Sequence, residues 1–99
     1  MVLSQVMLYI VIEQFKNRNA KPVYERYNQK GRMLPAGLKY VNSWTESNLE
    51  RCFQLMECND ASLFDEWTAN WRDLIDFEIL PVITGAQAAE KVLGSGTAT

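Results

Sequence analysis

The segment Val6-Met7-Leu8-Tyr9-Ile10-Val11-Ile12-Glu13-Gln14-Phe15 is β-branched and aromatic, with apolar side chains at both parities through Ile12. A strand with one wet face alternates apolar and polar residues, so a strand that does not alternate is buried on both sides. Whatever else the chain builds must therefore cover two faces of this one element.

The rest of the sequence supplies candidate covers. After the polar break Lys16-Asn17-Arg18-Asn19, Asn19 is placed to cap a helix whose first turn tolerates Pro22, because the amides there lack intrahelical partners. Ala20, Val23, Tyr24 and Tyr27 form its apolar stripe, and Gly31 is a left-handed stop after Lys30. Arg32 to Gly37 reads as a loop, and Leu38 to Thr45 as a second strand. A tight turn at Glu46-Ser47-Asn48 then leads into a third strand, Leu49 to Cys58. With Ser47 and Asn48 as the turn pair, Trp44 stands opposite Arg51, Asn42 opposite Phe53, and Tyr40 opposite Leu55. One face of this hairpin is aromatic and apolar. The other carries Val41, Ser43, Cys52, Gln54 and Met56, a mixed set suited to a semi-polar cavity or a subunit contact.

Asn59-Asp60 opens a second helix, in which Leu63, Phe64, Trp67, Trp71 and Leu74 recur at intervals of three and four. Ile75 to Thr84 alternates as a fourth strand, with Pro81 demanding an edge or a bulge. Thr84 and Gln87 have capping-box spacing for a short Ala-rich helix through Leu93. Residues 1–93 are expected to form one domain, and 94–99 a flexible tail.

The order β-α-β-β-α-β predicts an α+β ferredoxin-like sandwich, a four-stranded antiparallel sheet with two helices on one face. The other face is then bare, and the double-sided apolarity of the first strand requires a cover. A second copy of the chain is the simplest one, giving a homodimer through the sheet face.

Charge and composition remove several function classes. A net charge of −2 creates no field that gathers phosphate backbones or anionic lipid, so neither nucleic acid nor membrane is an expected partner. The opening residues lack a basic leader region, and Val6 to Ile12 is too short to span a bilayer of about 30 Å, so a soluble cytoplasmic protein is expected. Cys52 and Cys58, six residues apart on a strand, stand roughly 20 Å apart. A disulfide needs Cα atoms within about 7 Å, so both are expected to stay reduced. The same separation, together with the absence of histidine, predicts no metal site. Without histidine, no nucleophilic triad is recognisable either. No cofactor is expected, and catalytic residues are not assignable from the pattern.

Among residue clusters, Asp65, Glu66, Asp73, Asp76 and Glu78 are read as a solvated surface, and Trp67 with Trp71 as core packing. Trp44 and Arg51 are read as cross-strand neighbours in a cation–π pair that retains donors for an anion. Tyr9, Tyr40, Asn42 and Gln54 are polar groups on strands expected to be buried, where polar groups need partners. These six residues, Tyr9, Tyr40, Asn42, Trp44, Arg51 and Gln54, are the candidate ligand-binding set. RNA-binding sandwiches carry basic and aromatic positions that Arg51-Cys52-Phe53-Gln54-Leu55-Met56-Glu57-Cys58 does not match, and the Cys-x-x-Cys loop of copper chaperones is missing at Lys16 to Asn19.

Three stretches carry a resemblance: Met7-Leu8-Tyr9 with Glu13 and Phe15-Lys16, Arg32-Met33-Leu34-Pro35 with Gly37-Leu38, and Arg51 to Glu57. Over Met7 to about Ala89 the chain resembles a small uncharacterised bacterial family of unknown function, similar to the dimeric α+β barrels. That resemblance implies two ferredoxin-like subunits set sheet against sheet. The wider superfamily includes cofactor-independent monooxygenases, haem-degrading enzymes, isomerases and stress-response proteins, so the likeness bears on fold far more than on chemistry. Its haem-degrading members hold iron with a histidine that this chain lacks.

The expected function is accordingly a small dimer that binds a small organic molecule between sheet and helices, with no assignable activity. The alternative is a cofactor-independent monooxygenase or isomerase, and a third reading is docking onto another protein through the sheet edge or the last helix. A ligand site would be a closed apolar pocket of a few hundred cubic ångströms lined by at least two of the six polar and aromatic candidates.

Overall fold

The computed structural model describes residues 6–94. Four strands, β1 (Met7–Phe15), β2 (Lys39–Thr45), β3 (Arg51–Cys58) and β4 (Ile75–Val82), form one antiparallel sheet in the order β2-β3-β1-β4. The helices are α1 (Lys21–Lys30), α2 (Leu63–Thr68) and α3 (Gly85–Leu93), with a single 3-10 turn at Lys16–Arg18. This is the ferredoxin-like α+β arrangement that the element order predicts. β1, apolar on both sides, lies inside the sheet between β3 and β4, and the proline-bearing β4 lies at an edge.

Strand parity divides the sheet into two faces. Val11 and Phe15 of β1, Cys52, Met56 and Cys58 of β3 and Ile75 of β4 are buried in one core with Val23 of α1 and Phe64 and Trp67 of α2. The alternate residues, Ile10, Ile12, Phe53, Leu55 and Leu80, point to the face turned away from α1 and α2, where Trp44 and Leu80 are exposed.

Local signals explain most boundaries. Gly31 takes φ 68 where α1 ends, a backbone that side chains with a Cβ resist. Thr84 and Gln87 form both hydrogen bonds of the expected capping box, at 3.0 and 2.9 Å. At the start of α1 the Asn19 carboxamide accepts from Lys21 N–H, at 3.3 Å, while Ala20 takes the cap position itself.

Three expectations are corrected. The turn between β2 and β3 is longer than two residues: Glu46 N–H donates to the Arg51 carbonyl, closing a loop over Ser47, Asn48, Leu49 and Glu50. Leu49 sits in that loop at φ 62 instead of opening the strand, and Asn48 accepts from Glu50 N–H. The register accordingly moves by two, so Trp44 faces Phe53 and Asn42 faces Leu55. Second, a bulge between Tyr40 and Asn42 inserts Val41 and turns Tyr40 toward the helices, opposite Met56, while Val41 is exposed. Third, regular helix ends at Thr68, and Ala69 to Leu74 continue as hydrogen-bonded turns. The Thr68 hydroxyl donates to the Phe64 carbonyl four residues back, a bond that bends helices. The tail expected over 94–99 lies, apart from Gly94, outside the described residues, as does the opening stretch through Gln5.

Candidate functional site

Between the sheet and α1 lies a cavity of about 110 Å³. Its apolar walls are Phe15, Val23, Trp67, Trp71 and Ile75, and its polar lining is Glu13, Arg32, Ser43, Cys52 and Gln54. Tyr24 and Tyr27 of α1 complete it and are its most exposed members, so they mark the open side.

Glu13 is on the same strand parity as Val11 and Phe15 and is only 5% exposed. A carboxylate there loses its hydration, and burial pushes its pKa up to about 7. Two groups work against that shift. The Gln54 amide nitrogen donates to Glu13 Oε2 at 2.6 Å, and the positive charge of Arg32 favours the ionised form. Gln54 is itself 7% exposed, and its other amide atom, Oε1, is buried without a hydrogen-bond partner among the described residues. Cys52 borders the same space. Burial, and then the Glu13 charge, push its thiol up to about 11, so it is held in the unreactive protonated form.

The hydroxyls around the cavity are partnered, that of Tyr27 by Arg32 and the others by one another. Tyr24 pairs with Thr45 at 2.7 Å, and Tyr40 with Ser43 at 2.7 Å. Gln54 Oε1 is thus the unmet polar atom of the floor, and an unmet buried acceptor costs about 1–3 kcal/mol unless something donates to it.

Arg32 is held by its backbone, and at its tip one guanidinium nitrogen, Nη1, donates to the Tyr27 hydroxyl at 3.4 Å. Its carbonyl accepts from the indole N–H of both Trp67, at 2.9 Å, and Trp71, at 3.1 Å. The next residue, Met33, has φ 60, a left-handed conformation costing about 1–2 kcal/mol for a residue with a Cβ. The guanidinium lies 3.6 Å from the Tyr40 ring centre and 5.0 Å from that of Tyr27. No carboxylate among the described residues comes within ion-pair distance of it. The other arginines of this layer are engaged: Arg26 makes a two-point pair with Asp73, both bonds 2.7 Å.

Of the six sequence candidates, Gln54 alone lines the cavity. Tyr40 borders it indirectly, under Arg32. Tyr9 is on the covered face but packs edge-on against Phe64, 4.9 Å between ring centres. Asn42 and Trp44 are exposed on the other face, where Arg51 is bound to Glu46 at 2.8 and 2.9 Å and lies over Phe53, not Trp44. The cavity is also smaller than a few hundred cubic ångströms and opens on one side. Glu13 and Arg32 were within reach of sequence reasoning: Glu13 is the one carboxyl on the inward parity of a central strand, and Arg32 follows the helix-stopping glycine. All three stretches that carried the family resemblance converge here, through Glu13 and Phe15, Arg32, and Cys52 with Gln54.

Trp67 and Trp71 pack in the core as expected, and their N–H groups add the positioning of Arg32. The acidic residues Asp65, Glu66, Asp73, Asp76 and Glu78 are all exposed. Both cysteines are buried and free. Among the described residues, no group of three or more Cys, Asp or Glu side chains is arranged to hold a metal ion, and no helix is long and apolar enough to cross a membrane.

A family model described as "Domain of unknown function (DUF3303)" matches residues 7–96, nearly the whole chain, and the chain belongs to that family. No curated protein and no solved structure matches it.

Proposed function

We propose that this family member binds a small organic molecule in the cavity between its sheet and α1. The observation that carries the reading is the Glu13–Gln54 pair: a buried carboxyl and an amide with one unpartnered atom, facing open space. A packed core gains nothing from such an arrangement, whereas a binding site uses unmet polar atoms to orient what enters. Thermal-shift measurements with aromatic acids and lactones test it. A ligand at about 100 times its Kd adds about 2.7 kcal/mol of stability, and no shift across the panel overturns the reading.

A second reading, a cofactor-independent isomerase or monooxygenase, is favoured by the proton affinity of Glu13. A carboxyl titrating at about 7 both accepts and returns a proton near neutral pH. As an isomerase, Glu13 carboxylate removes a proton from one carbon of the substrate and returns it to another, with no net oxidation. Deuterium incorporation into a bound ligand in heavy water, lost in Glu13→Gln, is the expected result; equal incorporation in both proteins removes Glu13 from the chemistry.

The bare sheet face supports a third element of the proposal, pairing with a second copy. Ile10, Ile12, Phe53, Leu55 and Leu80 lie together there beside Trp44, and a contiguous apolar patch of this kind marks an interaction surface. α3 also leaves the apolar side chain of Val92 81% exposed.

A further inference from the structure

Resting on the reading of the cavity as a ligand site, we propose that its ligand is a single planar ring with a hydrogen-bond donor at the end that enters first and an anionic group at the end left near the surface, the chemistry of a hydroxylated aromatic carboxylate. Each part follows from what the cavity lacks. Around the cavity, the Ser43 and Tyr40 hydroxyls bond to each other, Tyr24 at the open side bonds to Thr45, the Tyr27 hydroxyl accepts from Arg32, and the Gln54 amide nitrogen donates to Glu13. What remains unmet is Gln54 Oε1, an acceptor, beside a carboxyl. A ligand atom that reaches it has to donate, and a hydroxyl does so while a methyl ether or a bare ring edge does not.

At the other end Arg32 is only partly buried: its guanidinium lies over the Tyr40 ring and its Nη1 donates to the Tyr27 hydroxyl at 3.4 Å, with no carboxylate among the described residues paired to it. Stacking on Tyr40 uses the guanidinium face, and with Nη1 on Tyr27 the Nε–Nη2 edge remains, the pair of donors that recognises a carboxylate at two points. The backbone beneath is fixed by two indoles, so the charge is held in place before the ligand arrives. Between these ends the walls are Phe15, Val23, Trp67, Trp71 and Ile75. A cavity of about 150 Å³ accepts benzene. At about 110 Å³, with one open side, this one takes a single ring whose anionic substituent projects outward.

The probes are 4-hydroxybenzoate, benzoate, 4-methoxybenzoate and phenol, titrated calorimetrically into the full chain, with the indole N–H signals of Trp67 and Trp71 followed by NMR. The expected order places 4-hydroxybenzoate about tenfold tighter than benzoate and 4-methoxybenzoate, the effect of one satisfied buried acceptor. Gln54→Met abolishes that preference, and Arg32→Met makes phenol and 4-hydroxybenzoate equal. Equal binding of benzoate and 4-hydroxybenzoate to the unaltered chain overturns the donor assignment and leaves the cavity as a binding site; this comparison needs no variant to fold. Equal binding of phenol and 4-hydroxybenzoate overturns the anion assignment alone. If no probe binds and both indole signals stay fixed, this inference and the reading it rests on fall together.

Discussion

On the face of the sheet turned toward α1 and α2, Val11 and Met56 are wholly buried and Phe15 and Ile75 nearly so, while on the other face Trp44 remains 55% exposed. Both faces are rich in apolar side chains, yet they treat charge differently. The covered face holds one carboxyl, Glu13, so deeply that its proton affinity rises to that of a neutral-pH acid. The other face carries its charges at exposed or half-covered positions, Glu57 and Glu78 among them, with Arg51 paired to Glu46 and Lys16 to Asp76. Apolar content alone therefore does not mark the site. What marks it is a polar group retained where burial is costly.

Truncating one tryptophan on each side tests this contrast most strongly. Trp67→Ala removes a side chain packed against Phe64 and Phe77 and leaves the Arg32 carbonyl with one donor, a loss of about 3–5 kcal/mol in chemical denaturation. Trp44→Ala stays within about 0.5 kcal/mol when measured on the isolated subunit. Equal costs erase the distinction between the faces.

The carboxyl itself gives the next effect. Because the folded-state pKa of Glu13 is raised, the folded chain binds the extra proton between about 4.5 and about 7, so stability is full below that window and falls as pH rises through it. At 1.36 kcal/mol per pKa unit the loss is about 3 kcal/mol. Glu13→Gln is expected to flatten that slope and to be the more stable protein at pH 8. A parallel pH profile for the two proteins shows that Glu13 is not titrating.

On the bare face, Leu55→Lys is expected to convert a pair into single subunits by light scattering while changing subunit stability by less than about 1 kcal/mol, since the site is only half covered. A chain that is single at every concentration removes the pairing proposal. On the covered face, Trp71→Phe deletes one of the two indole donors to the Arg32 carbonyl and costs about 1 kcal/mol. Its sharper readout is a shift in the Arg32 side-chain signals.

Much of this architecture was legible in the residues. The parity of Val6 to Ile12 located the central strand, Pro81 an edge, Gly31 a helix end, and Thr84 with Gln87 a helix start. These are signals carried by single residues or short spacings, and neighbours do not alter them. The β2–β3 register was not legible, because Leu49 is apolar enough to look like strand and only its left-handed backbone assigns it to the loop. A two-residue slip keeps strand parity, so Asn42, Trp44 and Arg51 share one face as expected and that face is the one turned away from the cavity; the inserted residue at Val41 moves a single candidate, Tyr40, to the cavity side. The inward parity of Glu13 is readable from Val11 and Phe15, but its burial as a charge depends on Gln54 and Arg32, which reach it from distant parts of the chain.

The double anchoring of the Arg32 carbonyl has one last consequence. Since position 32 is located by its main chain, the identity of its side chain is free to vary without disturbing the loop's path. Relatives that keep both indoles and place a different residue at 32 would retain the vestibule and change only which charge greets a visitor, so selectivity in such a scaffold is tunable at a single codon.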